Sequence, residues 1–142
     1  MEIHREAGLR AWLRDGWDDA RWGPMFWVEA ARGGTDGAAD VFVPIGKGYV
    51  PLELKFWEYS TKGFCMGQMR PSQKRLHRLM GKKGLRSAIL VATSKQEILV
   101  GVGLLIASFN RENQTRILLR NPVSSVEELY GKLNQEKFWK DR

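Results

Sequence analysis

Cysteine, histidine and proline are scarce in this 142-residue chain, with one, two and five copies. The lone thiol, Cys65, excludes an internal disulfide, and with two histidines beside it the ligands for a zinc centre are too few. Acidic residues are the minority charge: 16 Asp and Glu stand against 23 Lys and Arg, a formal charge of +7. With an isoelectric point near 9.8, that excess favours a polyanionic partner, nucleic acid being the simplest. Long hydrophobic runs are also missing. The longest, near Ile98 to Phe109, is too short and too broken by glycine to span a bilayer, so no membrane partner is expected. Met1-Glu2-Ile3-His4-Arg5-Glu6 is charged and unlike a signal peptide, so a cytoplasmic location is the expectation.

What is present describes a globular protein: 43% hydrophobic and 27% charged residues, enough for one domain, 1–142, with a real core. The most informative stretch is Val50-Pro51-Leu52-Glu53-Leu54-Lys55-Phe56. Leu52, Leu54 and Phe56 alternate with Glu53 and Lys55, the period-two pattern of a strand. Glu53 and Lys55 therefore share a face, roughly 7 Å apart by the rise per residue. Upstream, Gly33-Gly34-Thr35-Asp36-Gly37-Ala38-Ala39-Asp40 leads into Val41-Phe42-Val43. A turn at Lys47-Gly48 predicts a hairpin that returns Asp40 to the side of Glu53. Two carboxylates converging with a lysine suit Mg²⁺-assisted attack of water on a phosphodiester.

Around this hairpin the pattern predicts alternating elements. Residues 2 to about 14 read as an amphipathic helix with Leu9, Trp12 and Leu13 inward; Glu2 and Glu6 fall on that same face. Each glutamate either supplies a carboxylate to a site or simply favours the first helical turn through the dipole. Met25 to Val28 is a strand, Glu58 to Gly67 a loop, and Arg70-Pro71-Ser72-Gln73 opens a helix ending at Gly81 or Gly84. Its inward face is Leu76, Leu79 and Met80, with Gln73 joining at the mouth. Lys74, Arg75, Arg78, Lys82 and Lys83 form a basic outer surface suited to phosphates, alongside Arg70. Ser87 to Ala92 reads as a central strand, Ile98 to Val102 as another, and Arg116 to Leu119 as a short strand. Leu104 to Phe109 fits helix or strand equally. Ser124 or Ser125 caps a last helix carrying Leu129, Leu133, Phe138 and Trp139 inward.

The order of these elements resembles the PD-(D/E)xK nuclease superfamily. Within it the likeness is to virus-type replication-repair nucleases and phage Holliday-junction resolvases, over roughly residues 2 to 93. Gly37-Ala38-Ala39-Asp40 is similar to the family's GxPD segment, with Ala39 where proline is usual, and thirteen positions separate Asp40 from Glu53. Glu53-Leu54-Lys55 matches the Glu-x-Lys element, Gln73 a recurrent helix-opening glutamine, and Glu6 a first-helix glutamate of the resolvases. Asp36 competes with Asp40 for the aspartate role, although its glycine surroundings also suit a turn.

The resemblance implies an α/β fold of restriction-endonuclease type, a mixed central sheet flanked by helices. It implies a Mg²⁺-dependent endodeoxyribonuclease, with Mn²⁺ able to substitute, acting in DNA replication, recombination or repair in the cytoplasm of a phage host. Asp40, Glu53 and the Leu54 backbone carbonyl would hold the metal, and Glu6 would complete the cluster with a second metal or a water. Lys55 would orient or deprotonate the attacking water or steady the developing charge, and Gln73 would hydrogen-bond the site. Branched DNA is the expected substrate. A homodimer would then set two sites on one junction, using Trp17, Trp22, Trp57, Tyr59 and Phe138-Trp139 as spare apolar surface. The competing readings are a nucleic-acid-binding module of the same fold without catalysis, and a nuclease for RNA or single strands.

Overall fold

The computed structural model describes residues 2–28, 39–64 and 69–140. Asp36, the alternative to Asp40, and Cys65 lie outside them.

The chain forms α1 (Glu6–Gly16), α2 (Asp19–Trp22), β1 (Phe26–Trp27), β2 (Val41–Ile45) and β3 (Gly48–Trp57). After the connection come α3 (Pro71–Lys82), β4 (Ala88–Thr93), β5 (Ile98–Val102), α4 (Gly103–Ser108), α5 (Arg111–Leu119), α6 (Val126–Leu133) and α7 (Glu136–Trp139). The five strands pair in sequence order, β1-β2-β3-β4-β5. Only β3 and β4 run parallel, because α3 carries the chain back between them; the other pairs are antiparallel. The fold is therefore α/β with a mixed sheet flanked by helices, as the sequence leads one to expect.

Alternation on β3 builds both faces. Val50, Leu52 and Leu54 pack with Leu9 and Leu13 of α1 and with Val126, Leu129 and Leu133 of α6. Trp57, on the opposite face, packs with Ile89 and Val91 of β4, Leu105 and Ile106 of α4, and Ile117 and Leu118 of α5. Every residue of β4 is buried, as its apolar run requires for a central strand. At about 1.5–3 kcal/mol per large side chain, these two layers dominate the stabilisation. The outer edge of β5 is covered by residues 121–123: Val100 N donates to Asn121 O, and Val123 N to Ile98 O.

Several elements differ from expectation. The first helix starts at Glu6, so Glu2 precedes it and is exposed, paired with His4 at 3.2 Å. Arg116 to Leu119 belongs to helix α5, capped by Asn110, whose side chain accepts from Asn113 N at 3.0 Å. The run Ile117-Leu118 is apolar because one face of that helix meets the sheet. On α3, Leu79 is 50% exposed, and the buried pair is Gln73 and His77. Ser125 is the cap of α6, which ends at Leu133, so Phe138 and Trp139 sit in the separate α7. The aromatic residues expected to pair two copies are, among the described residues, largely internal or half-buried. Trp17, Trp57 and Phe138 are buried, Trp22 stacks on Tyr130 at 4.5 Å, and the half-buried Tyr59 donates its hydroxyl to Glu97.

The start of the chain is tied to the β4–β5 turn. Gln96, at φ 61°, accepts from Ile3 N at 2.7 Å through Oε1 and donates to Ile3 O at 2.9 Å through Nε2.

Helix α1 also approaches α6 closely. A Cβ on Gly16 would lie 2.3 Å from Cγ2 of the buried Val126. Alanine would gain helix propensity, but at the last position of α1 that gain is below the about 1–3 kcal/mol of overpacking against a β-branched neighbour. Gly16→Ala is expected to lower Tm by several degrees. Val126→Ala in that background is expected to recover part of the loss, so calorimetry of the four proteins should show a non-additive cycle.

Candidate active site

The β2–β3 ladder stops at Val41 opposite Leu52. Beyond that point β3 continues with β4 as its neighbour, and the Leu54 N–H would face an open edge without a backbone partner. Asp40, the residue just before β2, supplies one: its Oδ2 accepts from Leu54 N at 2.8 Å. Its Oδ1 accepts from the Arg10 guanidinium at 3.4 Å. The hairpin thus fixes Asp40 beside the Glu53-Leu54 stretch of β3, as its spacing leads one to expect, near enough for its carboxyl to act on that of Glu53.

Glu53 is almost sealed, at 1% exposure. Its Oε2 accepts from Gln73 Nε2 at 3.2 Å, and its Oε1 lies 3.4 Å from His77 Nε2. Gln73 is held in turn at the start of α3, where its Oε1 accepts from Arg70 N at 3.1 Å. His77 Nδ1 lies 2.7 Å from the Ser87 hydroxyl. A polar chain therefore runs from the mouth of α3 through Gln73, Glu53 and His77 to Ser87, and every buried side-chain nitrogen and oxygen among the described residues has a partner.

Burial pushes the Glu53 carboxyl above its ordinary range; the His77 contact opposes the shift and Asp40 reinforces it. Glu6 shifts in the same direction, first through loss of water around it, with Lys55 opposing and Asp40 adding to the rise. Lys55 is half-buried on the Glu53 face of β3, and among the described residues its ammonium has neither hydrogen bond nor ion pair.

The structure brings Glu6, Asp40, Glu53, Lys55 and Gln73 into one region, but not on equal terms. Glu6 is exposed at the first turn of α1, a helix that packs on the other face of the sheet, and not buried with Leu9 and Leu13. Among the described residues no three His, Cys, Asp or Glu side chains form a ready ligand group. Asp40 and Glu53 remain as a pair of hard oxygen donors crowded together. This fits Mg²⁺, which uses one or two carboxylates and keeps water or substrate phosphate as its other ligands.

Of the basic residues, Arg70 lies close enough to influence Glu6, while Arg75, Lys82 and Lys83 are exposed along α3 and Lys74 is half-buried. Arg78 differs: its Nε and one terminal nitrogen both donate to Ala107 O, at 3.1 and 2.8 Å, closing the end of α4. Three site residues were not anticipated: Arg10, His77 and Ser87. For His77 a signal existed, since it follows Gln73 by four positions and must share its helix face. Comparison with protein-family models, curated proteins and solved structures finds no match for this chain.

The raised Glu53 pKa has a defined sign in stability. The folded state holds this proton more tightly than the unfolded state, so its contribution is full below the ordinary carboxylate pKa. It is lost as pH rises through the folded value. Glu53→Gln keeps hydrogen-bonding capacity without the charge. Its Tm is expected to match wild type in acid and to exceed it increasingly toward neutral pH, as circular dichroism melts across pH would show.

Proposed function

We propose that this chain is a divalent-metal-dependent nuclease that hydrolyses DNA phosphodiesters. The observation that carries the reading is the placement of the Asp40 and Glu53 carboxyls together where the β2–β3 ladder opens, with Lys55 on the Glu53 face. Asp40, Glu53 and the Leu54 carbonyl would hold Mg²⁺, which when bound supplies Lewis acidity and a lower water pKa. Lys55, free of any ion pair among the described residues, is placed to orient the attacking water, accept its proton or meet negative charge developing on the phosphate. Water oxygen bonds to phosphorus, the P–O3′ bond breaks and the leaving oxygen is protonated, giving 5′-phosphate and 3′-hydroxyl ends. Arg70, Lys74, Arg75, Lys82 and Lys83 would meet the backbone along α3, which reads charge and not sequence.

A second reading has its own support. Both Glu53 oxygens are engaged by Gln73 and His77 inside the protein, as suits a nucleic-acid-binding module of the same fold without catalysis. Because the aromatic residues that would pair two copies are largely internal, the proposal extends neither to a homodimer nor to junction resolution.

Labelled linear, flapped, four-way and single-stranded DNA, and RNA, incubated with and without Mg²⁺, test the reading. Cleavage by wild type should require Mg²⁺ and fall by orders of magnitude in Asp40→Asn and Lys55→Ala while binding persists. Binding without cleavage of any substrate would favour the second reading. DNA affinity should also drop steeply with salt, and Lys82→Glu with Lys83→Glu should flatten that slope in a filter-binding titration.

A further inference from the structure

We propose that His77 and Ser87 are positioning residues for Glu53, forming a hydroxyl–imidazole–carboxylate relay that aims its carboxylate toward Asp40. The proposal rests on the reading of Glu53 as part of the reactive site, and it adds two residues that take no direct part in the chemistry.

His77 is fully buried and Ser87 is 2% exposed, so neither side chain bonds to bulk water. An ionised carboxylate only accepts hydrogen bonds, so the 3.4 Å contact with Glu53 Oε1 requires the proton on His77 Nε2. In a neutral imidazole Nδ1 must then accept, and its partner at 2.7 Å is the Ser87 hydroxyl, which can donate. The tautomer is thereby set by the Glu53 carboxylate, and the Ser87 hydroxyl, able to donate, completes the pattern on the other nitrogen. The Nε2–H and the Gln73 amide hold the two oxygens of Glu53 from the α3 side, one partner to each oxygen.

A wall completes the arrangement. A Cβ on Gly103, at the first position of α4, would fall 2.3 Å from Ser87 Oγ and 2.5 Å from His77 Nδ1. Gly103 N also donates to Ser87 O at 2.8 Å, fixing the backbone that carries the hydroxyl. Only glycine leaves the space in which the imidazole and the hydroxyl meet. The burial is difficult to explain by stability alone, since a leucine at position 77 would fill an inward helix face without polar atoms to satisfy. Partners of this kind behind a metal-binding carboxylate characteristically change affinity about 10–100-fold when removed.

Full-length wild type, Ser87→Ala, His77→Leu, His77→Gln and Gly103→Ala would be compared at a temperature where each is folded by circular dichroism. Nitrogen-15 NMR of the metal-free protein reads the tautomer of His77, and calorimetric titration with Mg²⁺ alone reads affinity. Wild type should carry the proton on Nε2. Mg²⁺ affinity should fall about 10-fold or more in Ser87→Ala, His77→Leu and Gly103→Ala. His77→Gln, which keeps an N–H donor facing Glu53, should recover most of it. A wild-type His77 protonated on Nδ1 alone would overturn the proposal whether or not metal binds, as would a wild type that binds Mg²⁺ with an affinity unchanged in folded Ser87→Ala and His77→Leu. A wild type with the Nε2 proton but no response to Mg²⁺ would overturn the metal reading of Glu53 and still support the relay.

Discussion

The rest of this structure depends on keeping one carboxyl group, that of Glu53, dry. A buried carboxylate is unfavourable unless hydrogen bonds replace its water, and here each oxygen is met by a side chain from α3. That requirement reaches outward. Helix α3 must turn Gln73 and His77 inward where an ordinary helix would turn leucine, and Leu79 is left half outside as a result. Gln73 must be anchored at the helix start, and His77 must be backed by Ser87 at the entrance to β4. Local rules of helix patterning are broken here by a buried polar cluster, a kind of departure that functional sites often carry.

The second carboxyl, that of Asp40, follows from sheet geometry. A ladder that ends at Val41 and Leu52 leaves a strand edge to be satisfied, and a side-chain acceptor does so. The opening that creates the unpaired N–H also creates room beside Glu53. Around the rim, charges of both signs meet: Arg10 on Asp40, and Lys55 near Glu6. The site is thus half sealed and half solvated, with Glu53 on the sealed side and Lys55 toward the rim.

Much of this was legible in the sequence where periodicity and punctuation agree. The alternation in β3, the glycine at the β2–β3 turn and the unbroken run of β4 lead to the hairpin, the central strand and the approach of Asp40 to Glu53. Helix α5 was not legible, because Ile117-Leu118-Leu119 is contiguous and apolar and its cap, Asn110, lies well upstream. Tryptophans near turns suggested surface, yet a two-residue strand and a short helix fold those turns back onto the core. The relay behind Glu53 escaped because its members are 24 and 34 positions away in sequence and only the parallel pairing of β3 with β4 unites them.

The clasp between Gln96 and Ile3 has a consequence of its own. One glutamine amide imitates the paired bonds of a backbone bridge, and it does so from a left-handed conformation that side chains other than glycine seldom adopt. The strain is held in a turn at the far end of β4, while Ile3 leads three residues later into Glu6. A turn at the far end of β4 therefore anchors the residues that lead into Glu6, on the approach to Asp40 and Lys55.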